Sequence, residues 1–351
     1  MTRGDAGLTS LFMQEFEWCK VRSGEAAAIV TETGSRPEYL DASVGALTAM
    51  GARPFQIMLP FRSSEMDGAP AINRGNASST VLNSFPEVVE LLKRVTLVVD
   101  LTMEGLIHSD QRGEILASGA RLIVIREPAD ALARLLPTAE RTMRIDKSVE
   151  LLKNASQMTV TSKSGTNLRV DLRGSAPKGS YGFCAKPGVS ANWATGMALT
   201  YPASLEVDGD VVLAPGDIVY PFYTYVRSEV TLRFRGGFVE TIEGASLDAE
   251  LIRDYMARWN ERNAYGISHV GWGLHERALW DAITFYPRNE AMGVDGRSFE
   301  GNFLISTGPN YVAKRHTACH FDIPMRNCSI FLDGKPVVLD GAIVEPSIVR
   351  R

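Results

Sequence analysis

Val95-Thr-Leu-Val-Val-Asp100 is a short, almost wholly apolar run that ends on a carboxylate. A run of that length without polar alternation is what a strand buried on both faces requires. The helical stretch Pro86–Arg94 leads into it, and a second such run, Arg121–Arg126, follows with helical patterns on either side. Upstream, Ala26–Thr31 and Pro54–Leu59 read as strands. They are separated by a helix over Glu38–Met50 that stops at Gly51. Leu8–Val21 carries Leu11, Phe12, Phe16 and Cys19 at helical spacing. Buried strands alternating with amphipathic helices predict a mostly parallel sheet covered on both faces. The expectation is a doubly wound, Rossmann-like α/β domain over residues 1–155.

The pattern changes near residue 155. Thr159–Ser162 and Asn167–Leu172 alternate with period two, and Lys163–Thr166 sits between them like a hairpin loop. Val207-Asp-Gly-Asp-Val211 and Phe331-Leu-Asp-Gly-Lys-Pro-Val337 carry Asp-Gly hairpin signals. Arg235-Gly-Gly-Phe238 is a turn between two further strands, and one helix, Leu247–Trp259, interrupts. Residues 156–351 are therefore expected to form a β-rich α+β domain. The fold class predicted is α/β plus β-rich, with no repeat or long linker.

The 351 residues are 45% apolar and 22% charged, ordinary for a globular chain of about two domains. Lys plus Arg is 37 against 41 for Asp plus Glu, a net charge of −4, with no basic stripe to bind nucleic acid. No apolar run approaches a membrane span, and the N-terminal stretch lacks the apolar core of a secretory signal. The four cysteines, Cys19, Cys184, Cys319 and Cys328, match no metal or redox spacing. They read as reduced, buried thiols of a cytoplasmic protein.

Five histidines exist, and one local pattern stands out: Thr317-Ala-Cys-His-Phe-Asp-Ile-Pro324. On a strand, His320 and Asp322 point to one face. An imidazole beside a carboxylate is two thirds of a 2-His-1-carboxylate triad, which binds Fe(II) and leaves positions open. The same pair also serves simply to pack a strand through a hydrogen bond. His269 lies in Gly266-Ile-Ser-His-Val-Gly-Trp-Gly273, where glycines admit a ligand or a neighbouring backbone; it also reads as a core histidine. His108 follows the strand that ends at Asp100, where open α/β sheets gather ligands, or else it caps a helix start. His275 and His316, beside charged neighbours, read as surface residues. Ser306 and Thr307, before the Gly308-Pro309 turn, can hydrogen-bond a ligand or cap the turn. Nucleophile elbows, phosphate loops and dinucleotide fingerprints are absent.

Three segments, Ile267–Leu274, Gly301–Asn310 and Cys319–Cys328, together resemble the 2,5-dihydroxypyridine 5,6-dioxygenases, Fe(II) ring-cleaving enzymes of bacterial nicotinate degradation. Leu251–Met256, Asp217–Phe222 and Ala133–Pro137 share the resemblance, so it runs through nearly the whole chain. It implies that His269, His320 and Asp322 hold iron, that His108 lines the substrate pocket and that Ser306 sits near the metal. It implies Fe(II) as cofactor, O2 as co-substrate, a hydroxylated pyridine opened between C5 and C6 to N-formylmaleamate, and a homo-oligomer. Two positions depart from the family: Asn192 stands where it has an acid/base histidine, and Ser180 where it has a glutamate. Neither can shuttle a proton as those groups do. Such a change leaves room for a substituent such as a carboxylate, which Arg227 could pair. The chain also resembles, more distantly, the M29 metallo-aminopeptidases, which share a late H-x-D but hold two metals. A metal-free scaffold is the third reading.

Overall fold

The computed structural model describes residues 6–60, 80–288 and 290–350. Its first layer is a parallel sheet built from β1 (Ala26–Glu32), β2 (Arg53–Leu59), β3 (Leu97–Asp100), β4 (Arg121–Val124) and β8 (Ser190–Asn192). Their order is β2-β1-β3-β4-β8. Ala27, Ile29, Leu97, Val99 and Ile123 pack on one face beneath α1 (Ala6–Trp18), α2 (Pro37–Ala49) and α5 (Ala129–Arg134). Ala28, Val30, Val98, Leu122 and Val124 pack on the other with α3 (Pro86–Leu92) and α4 (Arg112–Ala117). Burial on both faces is why these strands read as unbroken apolar runs.

The sheet does not respect the division expected at residue 155. β8 comes from well beyond it, yet pairs in parallel with β4, Asn192 opposite Val124. Three residues give too short a pattern to be read as a strand. The long helix α6 (Ala139–Asn154) begins with a cap in which the Thr138 side chain accepts from the Arg141 N–H. It ties the two halves: Arg141 grips Glu276 with two hydrogen bonds, and Arg144 meets Glu300 and the Ile348 carbonyl.

The rest is antiparallel. β5 (Gln157–Ser162), β6 (Asn167–Asp171), β10 (Val207–Leu213), β13 (Val230–Arg235), β14 (Phe238–Glu243), β18 (Cys328–Leu332), β19 (Lys335–Leu339) and β20 (Ala342–Ile343) form an eight-stranded sheet. β11 (Ile218–Val219) and β12 (Thr224–Tyr225) form a small ribbon, and α7 (Leu247–Arg258) is the helix expected there. The Asp333-Gly334 turn joins β18 to β19 as expected. The Asp208-Gly209 pair does not turn: it lies inside β10, where Gly209 faces Phe234 on one side and Leu168 on the other. There φ is +132°, and an added Cβ would lie 2.1 Å from the Asn167 carbonyl oxygen, so the glycine answers a close approach of two backbones.

The remaining sheet carries the site. It comprises β7 (Ala176–Ser180), β9 (Met197–Tyr201), β15 (Ile267–Gly273), β16 (Phe303–Thr307) and β17 (Phe321–Met325), in the order β17-β16-β15-β9-β7. Val270, Trp272, Phe303, Ile305, Phe321 and Ile323 on one face join Val160, Val170 and Val211 of the larger sheet in a common core. The opposite face is left to the cleft.

A candidate metal centre in a cleft between two sheets

Alternation along β16 and β17 sets the chemistry. Ser306 lies directly opposite Asp322, and both point away from the core that holds Ile305 and Ile323. On β15 the pairing register slips between Ile267 and Val270. Without that irregularity Ile267 and His269 would share a face; with it, Ile267 and Val270 both reach the core and His269 is left to the cleft. His320 precedes β17, so the H-x-D spacing brings its ring beside the Asp322 carboxylate.

The Nε2 atoms of His320 and His269 stand 3.1 and 3.7 Å from the same oxygen, Asp322 Oδ1. The three donor atoms lie within 4.8 Å of one another, and no other such His/Cys/Asp/Glu cluster occurs among the described residues. Ser306 Oγ donates to Asp322 Oδ1, and Arg297 Nε donates to Oδ2 at 2.6 Å. Burial alone would raise the Asp322 carboxyl; His320 and Arg297 outweigh it and hold the group well below the usual carboxylate range. Burial pushes His269 down to about 3, so its ring is neutral, as a metal ligand must be. Its Nδ1 is buried without a hydrogen-bond partner. Two imidazoles and one carboxylate held in its ionised form fit a divalent ion.

Arg297 is the functional residue that sequence reasoning missed. It sits on the short helix α8 (Val294–Ser298), its guanidinium 3.6 Å from the Tyr220 ring centroid. No motif marks it; only the fold brings α8 against β17.

The cleft above the site encloses about 680 Å³. The parallel sheet supplies one wall from its C-terminal edge, with His108 in the loop after β3 and Asn192 at the end of β8. His108 stays open to the cleft, its ring centroid 5.7 Å from that of His320. Crowding by the cleft walls, then the His320 charge, favour its neutral form. The His269 ring lies 5.4 Å from both His320 and Tyr201. Ser180 also lines the cleft, its hydroxyl bonded to Thr195 at 2.8 Å. The Asn192 side-chain oxygen is buried with no partner.

Two expected substrate contacts lie elsewhere. Thr307 follows Ser306 on β16 and therefore turns to the core side, buried. Arg227 is exposed, outside the cleft, in a loop whose N–H groups donate to Asp248 at the start of α7. His275 is not a surface residue: it is fully buried beyond the end of β15, its Nε2 3.2 Å from the Leu135 carbonyl. Its charged neighbours misled because Glu276 is itself spent on Arg141. His316 is exposed, as expected.

These features define a class: a mixed α/β protein with a two-His, one-Asp set at the bottom of an inter-sheet cleft, able to hold a divalent ion. The chain belongs to the 2,5-dihydroxypyridine 5,6-dioxygenase family, whose profile matches residues 7–345. It is 37% identical to the 2,5-dihydroxypyridine 5,6-dioxygenase of Pseudomonas putida KT2440, over 100% of this chain and 99% of that one. The solved structure of the 2,5-dihydroxypyridine dioxygenase from Pseudomonas putida KT2440 superposes with a TM-score of 0.91 at 36% identity, covering 98% of this chain and 99% of the other. Wild-type AmpT from Thermus thermophilus shares the fold at 12% identity, with a TM-score of 0.65 over 96% and 99% of the two chains.

Proposed function

We propose that this chain is a mononuclear non-haem Fe(II) dioxygenase that opens the ring of 2,5-dihydroxypyridine or a close analogue, with O2 as co-substrate. The observation that carries the reading is the convergence of His269, His320 and Asp322 at the wall of a cleft of about 680 Å³. Full-length similarity to a protein named for that reaction supports it. In the reaction, 2,5-dihydroxypyridine and O2 combine to N-formylmaleamate; the C5–C6 bond breaks and both oxygen atoms are retained.

Fe(II), held by His269, His320 and Asp322, would supply the one-electron chemistry that lets a closed-shell ring react with triplet O2. The chain's own groups do the rest. Ser306 and Arg297 hold the two Asp322 oxygens and fix the carboxylate plane. Neutral His108 accepts a hydrogen bond from a ring hydroxyl and orients it. Asn192 offers an amide where a proton shuttle is not available, so it hydrogen-bonds the ring oxygen and no more. Met197, Leu199 and Leu304 give the ring face an apolar floor that limits water.

The two-metal aminopeptidase reading is weaker. It needs a second ligand set, and the oxygen of Asp322 that would bridge is bonded to the Arg297 cation. The four cysteines are free and buried, which supports a reducing compartment such as the cytoplasm.

The test is O2 uptake after anaerobic Fe(II) loading, with loss of ring absorbance followed in parallel. One O2 consumed per 2,5-dihydroxypyridine or close analogue is the expected outcome. One bound iron per chain with no uptake on any hydroxypyridine would refute the reading.

A further inference from the structure

The cleft is not electrically neutral away from the triad. Lys178 lies on β7, directly opposite Leu199 of β9, and lines the cleft on the same face. Leu199 in turn faces Gly271, which faces Leu304, so one transverse row runs Lys178, Leu199, Gly271, Leu304 across the sheet. The neighbouring row runs Tyr201 on β9, then Ser306 and Asp322 on β16 and β17, with His269 between. Lys178 thus stands two strands from His269 and two residues along, about 12 Å between backbones at the usual strand spacing and rise. The four-carbon lysine stem covers roughly half of that. What remains is about the width of one six-membered ring, above the apolar patch of Met197, Leu199 and Leu304.

Among the described residues, neither acid that lines the cleft is paired with this cation. Of the two acids on the cleft wall, Asp322 is engaged by Arg297, Ser306 and the histidines. Asp146 accepts from the Tyr181 hydroxyl at 2.7 Å. The other charge near Lys178 is positive: Arg112, half-buried, donates to Ser190 Oγ at 3.0 Å. The Lys178 side chain is exposed to the cleft, where the nearby walls and then Arg112 oppose its charge, which an anion at this end would relieve.

We infer that Lys178 is a specificity-determining residue that binds a carboxylate on the substrate ring, making the preferred substrate a hydroxypyridine carboxylate. The inference rests on the ring-opening reading above. The hydroxyl end lies at the triad, the ring lies flat over Leu199 and Gly271, and the carboxylate reaches the Lys178 ammonium. Ser180, one alternation along β7 on the same face, adds a hydroxyl beside it. Glycine at 271 lets β9 approach β15 closely beneath this patch, because a Cβ there would lie 2.0 Å from the Ala198 carbonyl oxygen.

The experiment compares 2,5-dihydroxypyridine with its ring-carboxylated analogues on the Fe(II)-loaded protein. Binding is measured by anaerobic calorimetry and turnover by O2 uptake. The expected result is roughly 10–100-fold tighter binding of a carboxylated ring, as a charge-assisted hydrogen bond gives. Lys178→Met should remove that advantage, leave binding of the uncarboxylated ring within about threefold, and keep the iron stoichiometry. Lys178→Arg should restore most of it. Equal binding of both rings, an equal loss for both in Lys178→Met, or no binding of any carboxylated ring would overturn the inference. O2 uptake absent for both rings while the carboxylated one still binds through Lys178 would instead remove the ring-opening reading and leave the anion site standing.

Discussion

Arg297→Met tests whether the cation behind Asp322 sets the metal site. In the folded chain, Arg297 Nε is 2.6 Å from Asp322 Oδ2, both groups are buried, and the guanidinium stacks on Tyr220. Removing one partner of a buried ion pair costs about 3–5 kcal/mol, and here Asp322 Oδ2 loses its partner while Oδ1 keeps Ser306 and the histidines. Loss of the desolvated cation–π contact adds up to ~2 kcal/mol. Methionine keeps much of the volume, so the loss is electrostatic rather than a cavity. A divalent ion would offset that loss, since it neutralises Asp322 from the other side. Urea unfolding of the metal-free variant should therefore show a loss of about 3–7 kcal/mol, shrinking when Fe(II) or Zn(II) is present. Metal affinity itself should fall about 10–100-fold, the usual effect of losing a group that orients a ligand. A metal-free loss below about 1 kcal/mol together with unchanged metal affinity would refute the argument.

His320→Ala and Asp322→Ala should each abolish stoichiometric metal binding by calorimetry and, with it, turnover; full iron content in either would remove the triad. Gly271→Ala should unfold or misregister the central strand, because its Cβ would lie 2.0 Å from backbone oxygen that cannot move; a wild-type melting curve would contradict this. Glu127 is buried, accepts the Val294 N–H, and is raised from 4.5 to about 7, chiefly by burial. The folded chain then holds a proton that the unfolded chain has released, so stability from this group is full below about 4.5 and is lost as pH rises through about 7. The gap, at ~1.36 kcal/mol per pH unit, is worth at most about 3.5 kcal/mol. Glu127→Gln should gain stability over the parent at pH 8 but not near pH 4.5, in paired urea titrations.

The parallel half of the fold was legible because its strands are buried on both faces and its helices carry one apolar face each. Ala26–Thr31, Val95–Asp100 and Arg121–Arg126 all fall on strands of that sheet. The β8 strand was not legible, since Ser190–Asn192 is too short and too polar to show a period. Asp208-Gly209 was misread for a related reason: the dipeptide is a turn signal locally, yet here the glycine admits two neighbouring strands. His275 failed because surface character was inferred from chain neighbours, and burial is decided by what packs from elsewhere.

At the site, the amino-acid sequence alone determined which residues can bind a metal, since H-x-D on a strand places both groups on one face whatever the fold around it. It also determined the two exchanged positions, Asn192 and Ser180, as identities. The residues around His269 left it open between ligand and core, and only the resemblance joined it to His320 and Asp322; the tertiary structure supplies the means, a slip of register on β15. Only it put Arg297 behind the carboxylate, Lys178 on the cleft wall, and Thr307 and Arg227 outside it. The physical reason is one of range: side-chain direction along a strand is set by local geometry. Which charges meet across a cleft depends on strand order and on helices that arrive from distant parts of the chain.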